Sequence, residues 1–417
     1  MHVDSRDIAV IGGGAAGLMA ALFAARSGAS TVLLEGSRAP GLKILISGGG
    51  RCNVLPSESS AGDFHTSGSR KILEKIFRTW PLEQVTAFFE EELGVRLVIE
   101  KETGKVFPRS QKAREVRDAL VQAVSEAGGT ILCPFRVDGV ERAGEGFGLR
   151  SADGQRLEAN RVILAAGGQS VPKTGSDGHG YALAGAFGHS IVPTYPALVP
   201  LTSPDGALKD LAGISLPVRW RARTGGKVRE ERTRELLFTH RGFSGPAILD
   251  ASHWVVRDGA RIEVAWNGLD RTEWQERFAG GGRREVLSVV AELLPRRLAQ
   301  TLVARVPGVA ELPLAHFDRR RRELLLDALC DFELPVGGNE GFRVAEVTGG
   351  GVPLSELDPK CLESRKAPGL FLCGEILDVV GRIGGYNFLW AWVTGRLAGQ
   401  WAGQGQQGRG KASSQEG

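Results

Sequence analysis

Residues 7–28 leave this chain little conformational choice. A short apolar run at 8–11 enters Gly12-x-Gly14-x-x-Gly17 and continues into an alanine-rich segment that closes at Gly28. This pattern reads as a buried strand turning sharply into a helix. Gly12 permits the turn, Gly14 lets a pyrophosphate approach the backbone, and Gly17 lets the helix pack against its strand. Ala15 and Ala16 open that helix, whose free N–H groups face the phosphates. A second apolar strand at 30–34 ends in Glu35, where an acidic side chain holds the ribose hydroxyls of an adenosine. The expected fold class is therefore α/β with a Rossmann-type domain, and these six residues are its first expected dinucleotide contacts.

Further glycine-rich turns follow. Residues 41–53 place Lys43, Ser47, Gly48, Gly49, Gly50, Arg51 and Asn53 after or among apolar anchors. Three consecutive glycines cannot sit inside a regular element without a large entropic cost, so this stretch is expected to touch a ligand. Cys52 follows the glycines and is the candidate catalytic residue, as a general acid; a small buried filler in a tight loop is the competing reading. Val137, at the start of an alternating stretch, is also assigned to the cofactor. An apolar strand at 161–164 ends in Ala165-Ala166-Gly167-Gly168, and another at 369–373 ends in Gly374-Glu375. Asp378 and the helix start Gly385-Tyr386-Asn387 complete the expected cofactor set.

Between these segments the character changes. Prolines at 193, 196, 200 and 204 mark a crossover, after which Arg219, Arg221 and Arg223 alternate with Val218, Trp220 and Ala222. Period-two alternation puts the three arginines on one strand face, where they are assigned to nucleic-acid phosphates. The expected organisation is a first cofactor part at 1–193 and an insert at 194–342. Within the insert, an antiparallel β part covers about 194–267 and a helical part about 268–333. The cofactor domain resumes at 343–401, and a Gly/Gln/Ser-rich tail from 402 is expected to be disordered.

Formal charge is +4 with pI near 8.8, which permits an acidic partner without requiring one. Five cysteines without CxxC spacing argue against a disulfide framework or a metal site, and no metal is expected. No apolar stretch is long enough to span a membrane. The expected setting is cytoplasmic, and the oligomeric state is left open.

The turns at 164–167 and 373–375 resemble those of FAD proteins with two dinucleotide-binding motifs, and no second Gly-x-Gly-x-x-Gly unit offers a nicotinamide domain. Four longer segments are more specific: Ile46-Ser-Gly-Gly-Gly-Arg-Cys-Asn53, Ala166-Gly-Gly-x-Ser-x-Pro-Lys-Thr-Gly175, Leu237-Phe-Thr-His-x-Gly-x-Ser-Gly-Pro246 and Gly374-Glu-x-x-Asp-x-x-Gly-x-x-Gly-Gly-Tyr-Asn387. Together they resemble the BaiN/RdsA-like (YhiN-type) family of FAD-dependent oxidoreductases, once labelled aminoacetone oxidase-like. Cys373 stands where that family usually has a small residue, and Ala165-Ala166 replaces a more common Ala-Thr. The resemblance implies an FAD domain interrupted by a β-barrel and a small helical bundle, with NAD(P)H as a transient reductant. It also implies one of two substrate classes, because one branch reduces uridine in ribosomal RNA and another reduces bile acids. A flavin-binding regulator without turnover needs the cofactor motifs alone.

Overall fold

A computed structural model describes residues 4–280 and 282–404. The chain divides into two compact units. One holds the residues up to Thr194 and those from Val347 onward; the other is Tyr195–Glu346. The insert thus extends four residues past the expected 342. The final helix runs to Gly403, and the tail beyond 404 lies outside the described residues.

The first unit is built on a parallel sheet. Strand β1 (Asp4–Ile11) leads into helix α1 (Ala15–Arg26), and β2 (Thr31–Leu34) follows. The parallel order is Thr130–Leu132, β2, β1, Arg156–Leu164 and Leu370–Leu372, with an antiparallel hairpin of 137–151 on the early half of Arg156–Leu164. Register decides what the sheet can do. Ile11 lies beside both Leu34 and Leu164, and Leu164 beside Leu372. The carboxyl ends are therefore level, and Gly12, Glu35, Ala165 and Cys373 leave the sheet side by side. Cross-strand bonds continue one residue past that edge: Gly12 N–H donates to the Leu34 carbonyl (2.8 Å) and Ala165 N–H to that of Ile11 (2.8 Å). In open α/β sheets this edge is where ligands bind.

Helix α1 is buried almost all round because the final helix, Tyr386–Gly403, lies against it. A Cβ on Gly395 or Gly399 would overlap the carbonyl oxygens of Ala16 and Ala20. Small residues four apart on both helices let the backbones touch, so the sequence spacing itself sets the approach. The final helix is also pinned by polar bonds. Trp390 Nε1 donates to the Gly374 carbonyl (3.0 Å), Thr394 Oγ1 accepts from Gly374 N–H (3.0 Å), and Trp392 Nε1 donates to the Val54 carbonyl (3.0 Å).

The insert has its own core. Its seven-stranded sheet centres on Ser215–Thr224, paired antiparallel with Lys227–Thr239 and Arg261–Trp266. Val218, Trp220 and Ala222 are fully buried with Phe238, Val264 and Trp266, as the alternation requires. Helices Arg271–Ala279, Val286–Ala291, Arg296–Val303 and Arg319–Cys330 form the helical part. The sequence reading of a β part over 194–267 missed two helices, the short Gly206–Lys209 and the 14-residue Gly245–Asp258. The signals of the longer helix were present: proline in the first turn and a left-handed Gly259 just past the end.

Candidate active site

The fingerprint glycines divide by what surrounds them. A Cβ on Gly12 would come within 2.5 Å of the Ala165 carbonyl oxygen, and one on Gly17 would overlap the Gly12 carbonyl. Gly12 also has a left-handed φ of 101°. Gly14 differs: a Cβ there meets nothing within 4 Å. The amino end of α1 carries no side-chain cap, so its first N–H groups and positive dipole end face open space. That space suits a pyrophosphate.

Glu35 is 9% exposed. Its Oε2 accepts from Gly13 N–H (2.6 Å) and its Oε1 from Ser37 N–H (2.6 Å). The carboxylate thus braces the fingerprint loop, and each oxygen keeps a lone pair for a ribose hydroxyl. Val137 starts the hairpin beside this end of β2. The segment is held there by Phe135 N–H on the Glu35 carbonyl (2.6 Å) and by the Arg136–Asp177 ion pair (2.7 Å).

A second group joins three distant segments. Lys43 Nζ donates to Glu375 Oε2 (2.7 Å) and to Ser170 Oγ (2.6 Å), while Ser170 Oγ donates to Glu375 Oε1 (2.8 Å). Thr348 N–H donates to the same Oε1 (2.9 Å), and Thr348 Oγ1 accepts from the N–H groups of Gln169 and Ser170. Lys43 and Glu375 were both expected here, but as separate ligand contacts. The structure pairs them, 26% and 20% exposed, so the group presents little net charge. Ser170 and Thr348 were missed as site residues, although Ser170 stands in one of the four quoted segments and Thr348 directly precedes three glycines. Gly374 brings this group against α1, since its Cβ would meet that of Ala16 at 2.6 Å. Ala165 is buried, whereas Ala166 and Gly167 keep open surface beside this edge.

In the 47–50 loop the three glycines are exposed, with left-handed φ at Gly48, Gly49 and Gly50. Several residues expected to reach a ligand there instead hold the loop. Ser47 Oγ donates to the Ile44 carbonyl (2.8 Å). Arg51 lies over the Phe107 ring (4.0 Å) and pairs with Glu100 (3.2 Å). The Asn53 amide, oriented to satisfy its neighbours, donates to the carbonyls of Leu55 and Val106 and accepts from Gly385 N–H. Asn387 exchanges both amide bonds with Gly381, and half-buried Tyr386 packs edge-on with Phe64 (5.9 Å). Asp378 is buried and accepts from Ser67 N–H (2.8 Å), fixing the 64–67 segment. Arg51, Asn53, Asp378 and Asn387 therefore shape the walls of the site, with their polar groups already engaged.

Cys52 requires a correction. It is 0% exposed, so it presents no face to a ligand. Burial pushes its thiol up to about 12, against a hydrogen bond with Ser47. A sealed neutral thiol is a core filler, and the proton-donor reading is set aside.

The arginine stripe also differs from its expectation. The register puts Glu231 and Glu263 directly across from Arg221 on the two neighbouring strands. Arg221 is 17% exposed and pairs with Glu231 (3.1 Å) and Asp331 (3.0 Å). Arg223 pairs with Glu263 (2.7 Å), and Arg219 reaches Glu231 at 4.0 Å. The stripe is internally neutralised and offers few free donors to phosphate.

A level Rossmann edge with an open glycine cradle, a bracing acid and Gly-Glu at a parallel neighbour defines an FAD-binding oxidoreductase. Residues 6–401 match the HI0933-like protein Rossmann domain, and the chain belongs to that family. It is 32% identical over 392 residues to the ribosomal RNA dihydrouridine synthase of Escherichia coli (strain K12), covering 93% of this chain and 95% of that one. It is 34% identical over 405 residues to the 3-dehydro-bile acid delta(4,6)-reductase of Clostridium scindens, covering 94% and 98%. A flavocytochrome c3 fumarate reductase shares the fold, with a TM-score of 0.50 at 16% identity, covering 96% of this chain and 78% of that one. Among the described residues no helix is long and apolar enough to cross a membrane.

Proposed function

We propose that this protein uses NAD(P)H to reduce a bound FAD and then saturates a carbon–carbon double bond conjugated to a carbonyl, with a uracil of ribosomal RNA as substrate. The carrying observation is that one scaffold, matched over 95% and 98% of two relatives, is similarly close to both, and their names describe related chemistry. Dihydrouridine differs from uridine by saturation of the 5,6 bond, which is conjugated to the 4-carbonyl. A 3-dehydro steroid with double bonds at 4 and 6 is likewise a conjugated ketone. Either reaction requires a hydride at the carbon remote from the carbonyl and a proton at its neighbour.

FAD, when bound, supplies the hydride chemistry. The chain supplies position and electrostatics. Gly14 and the start of α1 would hold the pyrophosphate, and Glu35 the adenosine ribose. The Lys43–Ser170–Glu375–Thr348 group offers oriented donors and acceptors to the hydroxyl-rich middle of the cofactor. The exposed glycine loop at 47–50 leaves backbone bare for a planar group.

The paired arginine stripe favours a second reading, in which a small conjugated ketone replaces RNA. Mass-spectrometric mapping of dihydrouridine in ribosomal RNA from a deletion strain and its complement separates the two. Loss and recovery of one modified position supports the RNA reading. An unchanged map, with NAD(P)H-dependent turnover of a steroid dienone, transfers the proposal to the small molecule.

A further inference from the structure

Resting on the RNA reading above, we infer that the insert binds RNA phosphates through a corner at the start of helix Arg319–Cys330, and that the arginine stripe of the sheet takes no part. Backbone bonds assemble this corner from three segments. Leu314 N–H donates to the Arg284 carbonyl (2.9 Å) and Ala315 N–H to that of Gly282 (3.2 Å), so 282–284 runs against 314–315. Phe278, at the end of helix Arg271–Ala279, packs edge-on against Phe317 (5.3 Å). Asp318 then caps the next helix by accepting from Arg321 N–H (3.0 Å).

The corner differs from the stripe in what its arginines are doing. Arg283, Arg319 and Arg320 are exposed, and among the described residues they form no ion pair or side-chain hydrogen bond. His316 is exposed beside them. Several acids that could neutralise them are committed elsewhere: Asp318 to Arg321, Glu292 to Arg284, and Glu323 and Asp327 to Arg271. Glu285 and Glu311 remain as adjacent counter-charges. Three exposed guanidinium groups carried by adjoining segments suit phosphates of one strand, because each presents a planar fork of donors that matches phosphate oxygens. Drawing a base out of folded RNA costs a few kcal/mol, and contacts remote from the reacting ring are one way to offset that cost.

The probe is a fragment of large-subunit ribosomal RNA, titrated against FAD-loaded protein at several salt concentrations. Replacing Arg283, Arg319 and Arg320 together by Gln should raise Kd about 10-fold at about 0.1 M salt. It should also flatten the slope of log K against log salt by about two to three units, since each lost phosphate contact removes about 0.7 to 0.9. The corresponding Lys variant should keep most of the slope. FAD content and NAD(P)H-driven flavin reduction should match wild type. Wild-type binding with an unchanged Kd and slope in the Gln variant would overturn this surface while leaving the RNA reading intact. If the wild type itself does not bind the fragment, the RNA reading falls and this surface falls with it.

Discussion

The cofactor unit and the insert each carry one conspicuous residue type, and each holds it in a different way. Glycines in the cofactor unit are set against backbone: Gly12 against Ala165, Gly17 against Gly12, Gly399 against Ala20. Gly14 alone in the fingerprint faces empty space along its Cβ direction. In the insert the stripe arginines are set against carboxylates on neighbouring strands and on Asp331. The cofactor unit is built to receive a charged ligand through backbone N–H groups and one helix end. The unit rich in arginine spends most of that charge on itself. An unfilled position, whether a missing Cβ or an unpaired guanidinium, marks a binding surface better than residue abundance does.

The comparison can be broken most severely at Gly17. Gly17→Val should cost about 3 kcal/mol or more by overpacking against the Gly12 carbonyl, measured by chemical denaturation. A Gly17→Val protein as stable as wild type would show that the close approach is not structural. Next in size is Glu35→Ala. Loss of the brace and of charge-assisted bonds to ribose should weaken FAD binding by about 1.5–3 kcal/mol. An unchanged dissociation constant in a fluorescence titration would place the adenosine elsewhere.

In the insert, Arg221→Gln removes the arginine that Glu231 and Asp331 share, leaving them Arg219 at 4.0 Å and Arg271 at 3.0 Å. We expect a stability loss of about 1 kcal/mol with FAD content unchanged, because the pairs are partly screened at the surface. A neutral effect on stability combined with weaker RNA binding would restore the stripe as a nucleic-acid contact. The smallest effect on chemistry is expected at Cys52. Cys52→Ala should lower stability modestly, through loss of buried volume, while turnover per bound flavin stays within about twofold. A fall of about 10²-fold at full FAD occupancy would reinstate it as a proton donor.

What was legible in the sequence was what depends on near neighbours in the chain. The strand, turn, helix and acid at 8–35 could be read because each constraint acts within a few residues. The alternation at 218–223 correctly put Trp220 and the arginines on opposite faces of the strand, with Trp220 fully buried. The partners of those arginines could not be read, since Glu231, Glu263 and Asp331 reach them only through strand register and a distant helix end. The same limit applies to Lys43 and Glu375, which lie 332 residues apart in sequence and 2.7 Å apart in space. Cys52 was misjudged for a related reason: proximity to a glycine loop says nothing about which side of the loop a side chain faces. The helix Gly245–Asp258 was missed because its surroundings were read as strand, although its end signals were correct.

The central claim is that FAD occupies the cradle left open at Gly14. The most direct test is the visible spectrum of the purified wild type beside Gly14→Val, together with the unfolding curve of each. Substitution into open space should spare the fold and fill the room a pyrophosphate needs. The account predicts a yellow wild type with about one flavin per chain, and a colourless Gly14→Val protein that unfolds at the same denaturant concentration as wild type stripped of its flavin, since bound FAD itself adds stability. A Gly14→Val protein with full FAD occupancy would contradict it.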